Sequence, residues 1–233
     1  MFQELNELFE STTIKPTFEK VHIILALFIF GENLEGIGRY RLQKELLIGS
    51  GTSRSLIKKL KQRGGFITVP NGDTKSESKI KRKGHILTEK GLDYLNKIKI
   101  HIPFLIEGNL EILKDIIIET NKANPYICQV KNRGNRITNG VTQRDAAIKV
   151  DGIGATCLIY NGVRLVFPLR SLSDDDENKT EINKTIQNYF ESLQIKNTAE
   201  KISLEKNDVV IIGLGDNTKK ARLAALNAAL TLI

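Results

Sequence analysis

Residues 39–67, RYRLQKELLIGSGTSRSLIKKLKQRGGFI, decide how the chain is read. Leu42, Leu46 and Leu47 recur at helical spacing over 40–47, and Ile48-Gly49-Ser50-Gly51 breaks that helix. Ser50 or Thr52 caps a second helix that runs to about Arg63, where Gly64-Gly65 stops it. At 100° per residue, Leu56, Ile57 and Leu60 share one face of the second helix. Arg54, Lys58 and Lys61 fall on the opposite face, with Ser55 and Gln62 beside them. Two short helices joined by a glycine turn are the core of a helix-turn-helix, and this division of faces is what a helix lying in the DNA major groove requires.

The flanks extend the pattern. A helix is expected over 17–30, starting after Pro16 and stopping at Gly31. Its apolar residues Ile23, Ile24, Leu27, Phe28 and Phe30 wrap most of the way round, which implies burial between other elements and makes His22 a core-edge residue. Downstream, 66–69 alternates like a strand and Pro70-Asn71-Gly72-Asp73 is a turn signal. The return strand is expected within 79–87, carrying Lys79, Lys81, Arg82 and Lys83, after which Thr88-Glu89-Lys90-Gly91 opens a helix through Ile100.

Composition fits a globular protein of 233 residues, long enough for two domains. A hydrophobic fraction of 40% and a charged fraction of 27% suggest neither disorder nor a fibrous fold. The apolar runs at 21–30 and 98–106 are too short to span a membrane, and the acidic start MFQELNELFE lacks the features of a secretory signal. No membrane association and a cytoplasmic location are the expectations. Cys128 and Cys157 lie in apolar runs without a second ligand at metal spacing, so buried free thiols are expected; a disulfide stays open. The net charge of +8 is concentrated: residues 39–99 hold 16 Lys and Arg against 5 Asp and Glu, whereas 101–233 hold 17 against 16. A local excess of this kind is the electrostatic footprint of a site for a polyanion.

Candidate contacts with double-stranded DNA follow from these placements. Arg54, in the first turn of the second helix, can donate two hydrogen bonds to a guanine edge. Lys58 and Lys61 suit phosphates, and Ser50, Thr52 and Ser53 can offer hydroxyls and N–H groups beside the helix start. Arg39, Tyr40 and Arg41 would lie over the backbone, and Lys79, Lys81, Arg82 and Lys83 would follow phosphates or enter the minor groove. Taken singly, each could be a solvated surface charge.

The run from RYRLQ to GGFI, a basic hairpin and then HILTEKGLDYL resemble the winged helix-turn-helix families of prokaryotic transcription regulators, over about residues 20–100. The resemblance implies a DNA-binding domain at 1–100, although some winged helices bind protein or RNA.

A connecting or dimer-forming segment is expected at 101–122, where Leu110, Leu113 and Ile117 are spaced for an amphipathic helix, and a second domain at 123–233. Strands are read at 126–130, 155–160, 163–168 and 209–212, and helices at 142–150, 181–193 and 218–230. The overall expectation is therefore α+β, a winged helix-turn-helix followed by an α/β sandwich with ferredoxin-like βαββαβ order and a C-terminal helix. GVTQRDAAIKVDGIGATCLIYNGVRLVFP and VVIIGLGDNTKKARLAALNAAL resemble an uncharacterised α/β domain that follows a winged helix in some archaeal proteins, and the resemblance brings no chemistry with it.

Gly213 and Gly215, with Asp216 and Asn217, form a glycine turn that could present N–H groups to a small anionic effector, with Arg144 and Asp145 as nearby charge. A tight strand-to-helix connection explains the same glycines with nothing bound, and a pair between Arg144 and Asp145 explains the charges. The fingerprint of a dinucleotide site is incomplete. No catalytic residue, metal or cofactor is expected, since His22, His85 and His101 all precede the second domain. The reading is a homodimeric transcriptional regulator. Its rivals are a metabolic enzyme carrying an N-terminal helix-turn-helix and a protein-binding adaptor.

Overall fold

The computed structural model describes residues 5, 8, 9, 17–70, 84–117, 123–168, 182–193 and 203–233. The chain divides into two compact units, 1–97 and 98–233, in a mixed α+β architecture.

In the first unit, α1 (Lys20–Glu32) is buried on every side, with Val21 and every residue from Ile23 to Phe30 inside. The all-round apolar sequence anticipated this. Helix α2 (Arg39–Leu46) buries Leu42 and Leu46 and ends at Leu47, which adopts a left-handed conformation at φ 55°. Helix α3 (Ser50–Gln62) follows after Ile48 and Gly49. Gly49 takes the N-cap position expected of Ser50 or Thr52, and no side chain caps the helix.

Strands β1 (Ile67–Thr68) and β2 (Ile86–Leu87) pair antiparallel, Ile67 opposite Leu87. A single bridge adds Ile37, from the turn between α1 and α2, opposite His85. Helix α4 (Glu89–His101) starts where Thr88 Oγ1 accepts the Gly91 N–H and donates to the Gly65 carbonyl. Gly91 lies against the Phe66 carbonyl so closely that a Cβ would collide with it, and Tyr94 stacks on Phe66 at 5.0 Å.

The second unit is built on a five-stranded sheet of β3 (Leu105–Glu107), β4 (Asn124–Val130), β5 (Gly154–Tyr160), β6 (Leu165–Val166) and β7 (Val209–Gly215), in the order β3-β4-β7-β5-β6 with every pairing antiparallel. Helices α6 (Val141–Lys149) and α8 (Thr218–Leu230) cover one face. On the other, α5 (Leu110–Leu113) and α7 (Lys184–Ser192) close a core of Phe104, Ile106, Leu113, Ile127, Leu158, Ile186, Phe190, Val210, Ile212 and Leu214.

Two expectations are corrected here. The elements follow the anticipated order, but the sheet is not ferredoxin-like: the strand between β4 and β5 is β7, where a ferredoxin-like fold would place β6. All seven residues of β7 are buried, as a strand covered on both faces must be. By contrast β6 has two residues, follows the tight turn at Asn161 and is trailed by Pro168, features of an edge. The segment 101–122 is not a free connector either. It supplies β3 and α5, and Leu113 and Ile117 lie in the unit's own core, so the apolar spacing that suggested a dimer helix is consumed inside the unit.

Candidate nucleic-acid interface

Helix α3 separates its side chains as its periodicity requires. Ser53, Leu56, Ile57 and Leu60 are buried, while Arg54, Ser55, Lys58, Lys61 and Gln62 are exposed. Beside the exposed face is a cleft of about 750 Å³, lined by Arg54, Lys58, Lys61 and Gln62 from α3 and by Arg39 and Tyr40 from the start of α2. Its remaining wall is Ile57, the Gly36 and Gly38 turn, and Gly84 with His85. Among the described residues, no Asp or Glu lines it. Four guanidinium and ammonium groups from two helices thus share one concavity.

The local geometry explains why they meet. Gly36, at φ +99°, packs against the backbone of Gly84, and a Cβ on Gly84 would sit 2.5 Å from the Ile37 nitrogen. Ile37 and His85 can therefore exchange both backbone hydrogen bonds, each 2.9 Å. That bridge draws Gly84 and His85, directly before β2, against the turn that leads into α2. Arg39 lies over the Tyr40 ring, 4.9 Å from its centroid, and donates Nη2 to the phenol oxygen at 3.2 Å. Tyr40 is itself 69% exposed, so the pair presents both a cation and an aromatic face to solvent.

Other anticipated contacts fall elsewhere. Ser53 is wholly buried, three and four residues before Leu56 and Ile57, so its hydroxyl does not reach a ligand; the expectation for it is corrected. Thr52 Oγ1 is 2.7 Å from Thr17 Oγ1, tying α3 to the segment before α1. Ser50 and Arg41 are exposed but outside the cleft. Lys79, Lys81, Arg82 and Lys83 lie outside the described residues. His85 was not anticipated as part of any site. Its signal was the Gly-His pair placed directly before an apolar strand. Burial, and then the charge of Lys61, push its ring below the ordinary histidine value.

In the second unit the residues considered for an anion have structural partners. Gly213 and Gly215 belong to β7 rather than to a turn, and a Cβ on either would collide with the backbone of α8 at Ala225 and Ala221. Asn217 caps α8, its Oδ1 accepting the Lys219 and Lys220 N–H groups at 3.1 Å, so these donors are already occupied. Asp216 accepts from the Asn217 amide and from Lys220 Nζ. Arg144 forks onto Asp145 at 2.8 and 3.0 Å on the surface.

Cys128 and Cys157 are both free. They flank Ile211 on neighbouring strands, about 10 Å apart from strand spacing, which is beyond disulfide reach. Burial pushes the Cys128 thiol far up and that of Cys157 up to about 12, so neither is a nucleophile near neutrality. Among the described residues no group of three metal-ligating side chains occurs, and no helix is long and apolar enough to cross a membrane.

Residues 122–232 match a family described as a domain of unknown function, DUF4443. Among solved structures, the hypothetical protein PH0730 from Pyrococcus horikoshii OT3 is similar in fold, with a TM-score of 0.60 and 24% identity over 92% of this chain and 93% of that one. No curated protein matches the sequence.

Proposed function

We propose that the first unit is a winged helix-turn-helix that binds double-stranded DNA, and that the chain is a DNA-binding transcriptional regulator. The observation that carries the reading is the cleft in which Arg39, Arg54, Lys58 and Lys61 converge without a carboxylate among the described lining residues. Like charges gathered in this way repel one another in the free protein, and a polyanion relieves that repulsion. Helix α3, with one apolar and one basic face, is the recognition helix. The antiparallel pair β1–β2 with the Ile37 bridge is the base of the wing. Arg54 is assigned to a base edge, and Lys58 and Lys61 to phosphates.

A charge-removal series tests this. The full chain should bind a mixed-sequence duplex at low salt, and changing Arg39, Arg54, Lys58 and Lys61 together to Gln should weaken binding at least a hundredfold without lowering the thermal unfolding midpoint. Equal binding by both proteins would overturn the assignment. Capture of a protein partner with no affinity for duplex would favour the adaptor reading instead.

A further inference from the structure

Among the described residues lining the cleft, His85 is the one group whose ordinary titration lies between pH 5 and 8. Its backbone is pinned by the paired hydrogen bonds to Ile37, and Gly84 beside it packs against the backbone of Gly36 and Ile37. The ring's Nδ1 is buried and has no hydrogen-bond partner among the described residues. Among the described residues, the charged and titratable groups facing the same cleft are Arg54, Lys58 and Lys61 from α3 and Arg39 with the Tyr40 phenol from α2; the turn at Gly36 and Gly38 contributes backbone. Burial first, and then the charge of Lys61, oppose a proton on His85 in the free protein, where it would add a fifth positive charge to the described lining. A phosphodiester carries one negative charge and accepts hydrogen bonds, so its arrival offsets the repulsion from Lys61 and favours the protonated ring.

We propose that one phosphodiester of the bound duplex seats in this cleft against Lys61 and His85, and that His85 takes up a proton as it seats. The proposal rests on the duplex-binding reading above and adds to it a proton-linked contact. Because the proton is bound more tightly in the complex than in the free chain, affinity rises as pH falls through the interval between the two states of the ring, by at most tenfold per pH unit for a single proton.

The test uses the full chain and a mixed-sequence duplex at constant ionic strength, from pH 8 to pH 6, with folding checked at each pH. The unmodified chain should bind about fivefold or more tighter at pH 6 than at pH 8, and His85→Gln should show a flat profile. The chain has three histidines, so the His85 ring signal can be assigned in NMR spectra by comparison with His22→Gln and His101→Gln. Its midpoint should move upward when duplex is added to the unmodified chain. Superimposable pH profiles of the two proteins, or an unmoved His85 midpoint, would overturn the proton linkage while leaving the duplex reading intact. Absence of duplex binding at every pH would overturn both. If His85→Gln does not fold, the midpoint measurement alone decides.

Discussion

Ile37 and His85 exchange both of their backbone hydrogen bonds at 2.9 Å, and that contact ties the residues directly before β2 to the turn that opens α2. It is possible because Gly84 and Gly36 meet backbone to backbone. A methyl group at Gly84 would lie 2.5 Å from the Ile37 nitrogen and 2.8 Å from the Gly36 carbonyl carbon, atoms that cannot turn aside. Gly84→Ala should therefore cost about 2 kcal/mol, in the range of overpacked interiors, and should weaken duplex binding by opening the cleft. Denaturant unfolding measures the first effect. A loss below about 0.5 kcal/mol, the scale of ordinary surface changes, would contradict the close approach.

Arg54 and Lys58 line the same cleft but are assigned different work. Arg54→Ala should weaken binding to a preferred sequence by about 1–3 kcal/mol and relax discrimination at one base position. Lys58→Ala should weaken all sequences alike and reduce the salt dependence by about one phosphate contact. Selection of preferred duplexes followed by titration of preferred and scrambled sequences separates the two. Identical consequences for both variants would show the roles to be misassigned.

In the second unit the carboxylate of Asp208 is wholly buried. It accepts from Gln129 Nε2 at 2.7 Å, Lys131 Nζ at 2.8 Å, the Asn132 N–H at 2.9 Å and the Glu205 N–H at 2.8 Å. These bonds join the end of β4 to the start of β7. Asp208→Ala leaves several donors without an acceptor and should destabilise the unit by about 3 kcal/mol, read as a lower denaturation midpoint. Duplex binding should persist wherever the first unit remains folded.

Acid should weaken the fold through its histidines. The Glu19 N–H donates to His22 Nδ1 at 3.0 Å, a bond that only a ring unprotonated at that nitrogen can accept. Burial pushes His22 below the ordinary value near 6.5 against a smaller pull from Glu19, and His101 is lowered by burial and then by Arg133. His85 is lowered as well. A depressed folded-state value means that the unfolded chain binds protons first. The contribution is then complete above about pH 6.5 and is lost as pH falls through the folded-state values. Tm should decline from pH 7 to pH 5, and more gently in His22→Gln, whose amide accepts without titrating. A Tm that rises over that interval would contradict the assignment.

The helices of the first unit were legible in the sequence because each buries one stripe or its whole circumference, and the period of that burial is local. Polarity alone points Ser53 outward, yet it is buried. Its spacing of three and four from Leu56 and Ile57 already placed it on the buried face. The strands of the second unit were legible as segments, but their order was not, since pairing is set by which strand can be covered on both faces. The uniformly apolar β7 held that information. Gly213 and Gly215, two residues apart and hence on one face of a strand, marked the approach of a helix more than a ligand loop. The meeting of His85 with Lys61 depends on a backbone contact across 47 residues of sequence between Ile37 and Gly84, for which no short-range pattern exists.

The salt dependence of duplex binding by the full chain tests the central claim most directly. With Arg39, Lys58 and Lys61 each neutralising one phosphate and Arg54 on a base edge, log Kobs against log salt should fall with a slope of about −2.7 from the cleft alone, at about −0.9 per contact. A slope near zero, or no measurable binding at low salt, would contradict it.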